Sequence, residues 1–244
     1  MINSFPTIVQ KSLKYYVYLI SDPETKDIFY VGEGEKNRAF SHLKEDKDSE
    51  KSKRIKSLIK QGISPSIEIL SHELKKEEAR KIESAVLDVL GMDNLTNEKK
   101  GFHSNSHGRM SLEQVISKYK PKDAKITEPS VLIKLQKTFR YNMNPTELYD
   151  YTRGIWKISK VKQDEIKYAF AIFDNVIQEV YEVKGWFKAG ETFSVRKGNW
   201  KRKGRYEFVG GIAKEKIRNK YIHKSVKNHF RWGAANPIQY LNID

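Results

Sequence analysis

A helix with a carboxylate at the centre of its apolar stripe sets the tightest limit on this chain. From Lys76 to Leu90 the apolar residues recur with helical period, and Gly91 follows as a C-cap. With Glu83 at zero on a wheel of ~100° per residue, Ala79, Val86, Leu87 and Leu90 fall within about 60° of it. A fold that buries this stripe buries the charge as well. Glu83 must therefore be neutralised, paired with Arg or Lys, or bound to a cation. Cys is absent, which excludes disulfides, thiolate metal sites and cysteine nucleophiles. An oxygen-ligated ion such as Mg²⁺ or Mn²⁺ is then the natural cation, with a structural salt bridge as the alternative.

Upstream, Tyr16, Tyr18 and Ile20 alternate with Val17 and Leu19, and Ser21-Asp22-Pro23-Glu24 leads into Ile28 to Gly32, which predicts a β-hairpin. A helix beginning near Asn37 places Arg38 and His42 on one face. Lys44 to Lys53 is almost wholly charged and reads as a solvated loop or exposed helix end. Ile55, Leu58 and Ile59 predict a short amphipathic helix closed by Gly62, and Ser66 to Ser71 a third strand. The order β, β, α, α, β, α describes a small α/β unit over residues 12–105. Residues 106–130 read as a linker that contains one short helix within Met110 to Tyr119. A strand-rich second domain is expected over 131–244. It has a helix start at Asn144-Pro145-Thr146-Glu147 and strands at Tyr168 to Phe173, Val176 to Val183 and Tyr206 to Ile212; Asp174-Asn175 forms the tight turn between the first two.

The 244 residues carry 46 Lys and Arg against 31 Asp and Glu, a net charge of +15. Residues 1–122 contribute 22 − 18 = +4 and residues 123–244 contribute 24 − 13 = +11, so the second half holds the excess. Within Arg196 to Arg231 there are 13 Lys and Arg against Glu207 and Glu215, interleaved with Trp200, Tyr206, Phe208, Tyr221, Phe230 and Trp232. Cations release counterions from a polyanion and rings stack on bases, so nucleic acid is the expected partner. No run approaches the ~20 apolar residues of a membrane helix, and Met1 to Lys14 lacks the apolar core of a secretory signal. A cytoplasmic protein is expected, nucleoid-associated if bacterial, without a membrane partner and acting as a monomer or homodimer.

Tyr16-Val17-Tyr18, Phe29-Tyr30-Val31-Gly32, Arg38, His42 and Glu83 together resemble the GIY-YIG nuclease family. Tyr18 closes the first half of the signature and Tyr30-Val31-Gly32 forms the second. The resemblance covers roughly residues 14 to 101. Tyr30-Val31-Gly32-Glu33-Gly34, the Arg38 to His42 spacing and Gly91 through Asn94-Leu95-Thr96-Asn97 look most like the branch found in animal ankyrin-repeat, LEM-domain nucleases and their bacterial relatives. What this implies is a Mg²⁺- or Mn²⁺-dependent phosphodiesterase on a small mixed sheet flanked by helices. Glu83 would ligate the metal, Tyr18 accept the proton of the attacking water, and Arg38 clamp the scissile phosphate. Tyr30 and His42 would orient water or phosphate, and Asn97 would close the site. One position departs from the pattern: many members carry Lys directly after the second Gly of the signature, and this chain has Glu33.

Lys99 and Lys100 are candidate contacts to the phosphate backbone, and His103 and His107 a weaker candidate metal pair. In the second half, Gly154 to Ile158, Ala169 to Phe173 and Val180 to Val183 resemble PUA-like β-barrels, some of which bind nucleobases. That resemblance makes Trp156, Trp186 and Trp200 candidates for stacking a flipped base, beside the plainer reading that they fill a core. Lys201, Arg202, Lys203 and Arg205 are candidate phosphate contacts. The function expected is a DNA endonuclease of restriction or repair type whose second domain selects a sequence or modified base. An RNA-directed nuclease and a non-catalytic nucleic-acid-binding protein are the alternatives.

Overall fold

The computed structural model describes residues 2–45, 47–97, 108–196, 198, 200–230 and 236–243. It divides into two compact units, Met1–Arg109 and Met110–Asp244. The first opens with helix α1 (Thr7–Leu13), followed by strands β1 (Tyr15–Ser21) and β2 (Ile28–Glu35), helices α2 (Arg38–Ser41) and α3 (Glu50–Lys60), strand β3 (Ser66–Leu74) and helix α4 (Lys76–Leu90). The sheet runs β2-β1-β3, with both pairings antiparallel. Side chains on β1 alternate between two cores, as period-two pleating requires. Tyr16, Tyr18 and Ile20 pack with Ala39 of α2 and Ile55 and Leu58 of α3. On the other face Val17 and Val31 pack with Ala79 and Leu87 of α4. The charged tract that ends at Lys53 is in part helix: Ser49 caps α3 by accepting from the Ser52 N–H.

The hairpin register sets Tyr18 opposite Gly32 and Ile20 opposite Tyr30, so the two tyrosines are diagonal neighbours on one face. Gly32 makes that possible. A Cβ there would lie 2.6 Å from the Tyr18 hydroxyl oxygen and 2.9 Å from the Tyr30 ring. Gly34 does the same for Arg38, whose own Cβ lies 2.6 Å from where a side chain would start.

The second unit adds helix α5 (Leu112–Tyr119), strand β4 (Ser130–Lys134), helix α6 (Pro145–Arg153), strands β5 (Gly154–Trp156), β6 (Tyr168–Phe173), β7 (Val176–Lys188) and β8 (Tyr206–Ile212), helix α7 (Glu215–Tyr221) and strand β9 (Ile238–Leu241). Its six-stranded mixed sheet runs β5-β8-β7-β6-β4-β9, with β4 and β6 parallel. Both faces are covered: Val131, Ile133, Ala169 and Ala171 face one core, and Leu132, Phe170 and Ile172 the other. Asp174 and Asn175 turn β6 into β7 with both φ positive, as a two-residue hairpin requires. Among the described residues β5 and β9 are open edges, so the sheet is a curled half-barrel and the PUA-like closed barrel is not confirmed. Within residues 106–130, α5 is helical and Ala124 and Ile126 are buried in the second unit.

Gly32→Ala is expected to destabilise the chain by about 1–3 kcal/mol, the usual cost of forcing atoms into a packed core. Urea denaturation with near-ultraviolet circular dichroism of the tyrosines checks this. An unchanged midpoint would mean that the rings are free to move aside.

Candidate active site

β2 is an edge strand, and the candidate site is built around its outer edge. Thr96 and Asn97 add a short substitute strand there. The Thr96 N–H donates to the Phe29 carbonyl at 2.7 Å, and the Asn97 side-chain amide accepts from the Val31 N–H at 3.1 Å and donates to the Val31 carbonyl at 2.7 Å. Tyr30 comes to this edge from one face of the sheet, and Glu83, on α4, from the other. Both line a cleft of about 280 Å³ with Arg38, Glu45, Lys47, Ser49, Lys51, Thr96 and Asn97.

Behind the Tyr30 ring lies a run of polar contacts with no bulk water. Tyr18 is 1 % exposed, and its hydroxyl is 2.5 Å from His42 Nε2. Nδ1 of His42 is 2.6 Å from Lys51 Nζ and 3.3 Å from Glu45 Oε2. Burial, then the Lys51 and Arg38 cations, lower the His42 pKa to about 4, so the ring is neutral near pH 7. An ammonium donates only, so the short contact makes Nδ1 an acceptor. The ring proton is then on Nε2, which donates to Tyr18. The Tyr18 ring in turn lies against the Tyr30 ring, 6.2 Å between centroids. Burial raises both phenols.

Glu45 ties the cations together. It pairs with Arg38 Nη1 at 3.1 Å and Lys51 Nζ at 3.4 Å. Burial opposes its ionisation, but His42, Lys51 and Arg38 outweigh that and bring its pKa to about 2. Lys51 Nζ also sits 4.5 Å from the Tyr30 ring centroid, a cation–π contact. Neither Glu45 nor Lys51 stands out in the sequence, because both lie in a tract where nearly every residue is charged.

Glu83 is half-buried between Ala79 and Leu87, one turn away on each side. Burial first, and then the Glu33 carboxylate, raise its pKa to about 7, with Arg80 and the Glu33 backbone N–H working the other way. Glu33 is 3.6 Å from Arg80 Nε. Glu33 is thus met by an arginine one turn before Glu83 on the same helix.

Residues 18–119 match the family model described as the LEM-3-like GIY-YIG domain. This region is a LEM-3-like GIY-YIG domain. No curated protein and no solved structure matches the chain. A GIY-YIG domain is a nuclease domain, so the first unit carries the fold of a phosphodiester hydrolase, with a nucleic acid implied as its substrate. GIY-YIG nucleases typically use a divalent metal, and the donors here fit one. Two carboxylates, Glu83 and Glu33, act on each other across the cleft wall, and burial disfavours the Glu83 anion. A hard cation held by Glu83 and Glu33 would relieve that cost. Among the described residues no group of three or more His, Asp or Glu forms a cage.

The sequence-predicted residues thus separate. Tyr30, Arg38, Glu83 and Asn97 share the cleft, and Tyr18 and His42 support it from behind. Asn97 spends both ends of its amide on the Val31 backbone. Lys99, Lys100, His103 and His107 lie outside the described residues. In the second unit, the Trp156 indole donates to the Thr152 carbonyl at 2.6 Å and packs on the core. Trp186 lies against Phe208, 5.6 Å between ring centres. Trp200 donates to the Arg196 carbonyl at 2.8 Å and is covered by the Arg196 guanidinium at 4.0 Å. Lys201, Arg202, Lys203 and Arg205 are exposed. Among the described residues no helix is long and apolar enough to cross a membrane.

Because His42 in the folded chain refuses a proton that the unfolded chain takes up below pH 6.5, stability is full above 6.5 and is lost as pH falls from 6.5 to about 4. Glu45 extends the loss from 4.5 down to about 2. For so buried an imidazole the first window carries up to about 3 kcal/mol. Urea denaturation at pH 7, 5.5 and 4.5 is expected to show a flatter dependence for His42→Gln than for wild type. Parallel curves would place His42 in solvent.

Proposed function

We propose that the chain is a divalent-metal-dependent DNA endonuclease whose first unit hydrolyses phosphodiester bonds and whose second unit selects a target sequence or modified base, in the manner of a restriction or repair enzyme. The observation that carries the nuclease reading is the convergence of Tyr30, Arg38 and Glu83, from β2, α2 and α4, on one cleft. Glu83 would hold Mg²⁺ or Mn²⁺, with Glu33 close enough to share the charge. When bound, the ion supplies Lewis-acid stabilisation to the phosphate oxygens.

The chain's own residues have separate tasks. Arg38, about half exposed, clamps the scissile phosphate through its planar fork. Tyr30 is the phenol that reaches the cleft, so it is the one placed to take the proton of the attacking water, with Tyr18 buried behind it. An ordinary phenol, with a pKa of ~10, is a poor base at neutral pH. Burial, then the Glu83 carboxylate, raise the Tyr30 value and Arg38 works against them; neutralising Glu83 would remove the second of these. Lys51 supplies, from α3, the cation that position 33 lacks: its ammonium fixes the His42 tautomer and lies against the Tyr30 ring. The strong excess of cations in residues 123–244 supports a polyanion-binding role for the second unit.

Glu33 favours a second reading, a non-catalytic nucleic-acid-binding protein, because it puts an anion where many members of the family carry a lysine. Cleavage of duplex DNA in Mg²⁺ decides between the two, and competition by single-stranded RNA separates DNA from RNA as substrate. Glu83→Gln is expected to lower metal-dependent cleavage at least about 100-fold while leaving salt-sensitive DNA binding in place. A fully active variant would end the assignment of Glu83 to the metal. Lys51→Met is expected to cost about 100-fold in kcat with little change in KM, and Lys51→Arg to recover part of it. Equal loss in both variants, with KM raised, would instead make Lys51 a substrate contact.

A further inference from the structure

The chain between β7 and β8 leaves the sheet and returns to it as a closed loop. At its neck the Ala189 N–H donates to the Arg205 carbonyl at 3.0 Å. Gly190, at φ +82°, lies so near the returning chain that a Cβ would fall 2.7 Å from the Lys201 nitrogen. Two acidic side chains and one basic one hold the loop from below: Asp150 (4 % exposed), Arg153 (3 %) and Glu207 (3 %). Thr192 donates to Glu207 Oε1 through its N–H at 2.9 Å and its hydroxyl at 2.8 Å. Arg153 donates to the Thr192 hydroxyl and the Phe193 carbonyl, and binds Asp150 Oδ1 at 2.7 Å. The Ser194 hydroxyl and the Val195 N–H reach Asp150 Oδ2 at 3.0 and 2.7 Å.

Buried charges cost several kcal/mol each unless their hydrogen-bonding capacity is filled, and here the loop backbone fills it. Residues 192–195 are therefore fixed from both sides. The Phe193 ring nevertheless is 87 % exposed. A ring left in water adds nothing to folding, so a tether this elaborate serves to present it. Its setting selects the partner: residues 188–205 hold seven Lys and Arg against Glu191 alone, and Lys188, Arg202, Lys203 and Arg205 are exposed. A flat apolar face beside closely spaced negative charges is what a nucleic-acid strand offers wherever a base is not stacked on its neighbours. Trp156, Trp186 and Trp200, which would otherwise take this part, are engaged within the unit.

We propose that Phe193 stacks on an unpaired or unstacked base, with the cations of the same loop on the flanking phosphates. The proposal rests on the second unit being the nucleic-acid-binding part of the protein. Its test uses the full chain in EDTA, so that cleavage plays no part, with a labelled oligo-dT strand and a fully paired duplex as probes. Phe193→Ala is expected to weaken oligo-dT binding about 5- to 100-fold, to affect the duplex less, and to leave the slope of log K against log salt unchanged, because no phosphate contact is lost. Phe193→Trp is expected to keep the affinity, and its emission beyond that of wild type to be quenched at saturation. Equal oligo-dT affinity for wild type and Phe193→Ala, or added emission that saturation does not change, would overturn the stacking role alone. Displacement of oligo-dT by polyglutamate at equal charge concentration would overturn it in favour of an acidic protein partner. Failure of the wild type to bind either probe would remove the recognition role of the second unit as well.

Discussion

The candidate active site depends on β2 having one edge that, among the described residues, no other strand of the sheet takes. An interior strand would have its outer N–H and carbonyl groups paired to a neighbour, and no side chain from the opposite face could come around it. At this edge the Asn97 amide serves as a one-residue strand on Val31, satisfying the backbone without closing the way to solvent. Tyr30 and Glu83 start on opposite faces of the sheet and reach the same cleft only because the edge between them is this thin. The glycines serve the same end, with Gly32 giving room to the tyrosine rings and Gly34 to the first atoms of Arg38.

Charge in the site is arranged by burial as much as by distance. Burial, and then the positive charge of Lys51 and Arg38, disfavour a second proton on His42 and keep it neutral between a phenol and an ammonium. Glu45 prevents those cations from repelling one another and is held ionised by them in return. Three cationic or polar groups therefore have one acidic anchor. The departure at Glu33 is compatible with this layout because Arg80 meets it on the side of α4, and because a lysine reaches the tyrosines from a different element.

Much of this was legible from residue order. The hairpin, the α4 stripe and the placement of Glu83 follow from periodicity, since the local pattern and the tertiary contact agree. Strands β6 and β8 and the start of β7 were legible for the same reason. Strand β4 was not: Val131, Leu132 and Ile133 are all apolar because both faces of the sheet are covered there, and a continuous apolar run carries no period. Glu45 and Lys51 were hidden for the opposite reason. Within a run of charges, the two that turn inward are distinguished only by the imidazole they meet in space. The tryptophans carry two readings in sequence, since indoles that interleave with cations are equally suited to packing on a sheet, as Trp156 and Trp186 do.

The distribution of charge between the units also limits where binding energy arises. In the cleft, Arg38 and Lys51 face Glu45, and Arg80 faces Glu33, so opposite charges largely cancel within a few ångströms and little field extends beyond a Debye length of about 10 Å. Such a site acts strongly on a phosphate already in place but attracts one weakly from a distance. In residues 123–244 ion pairs such as Arg153–Asp150 and Arg218–Glu179 leave a net +11, and a net charge of that size raises the local concentration of a polyanion and its rate of encounter.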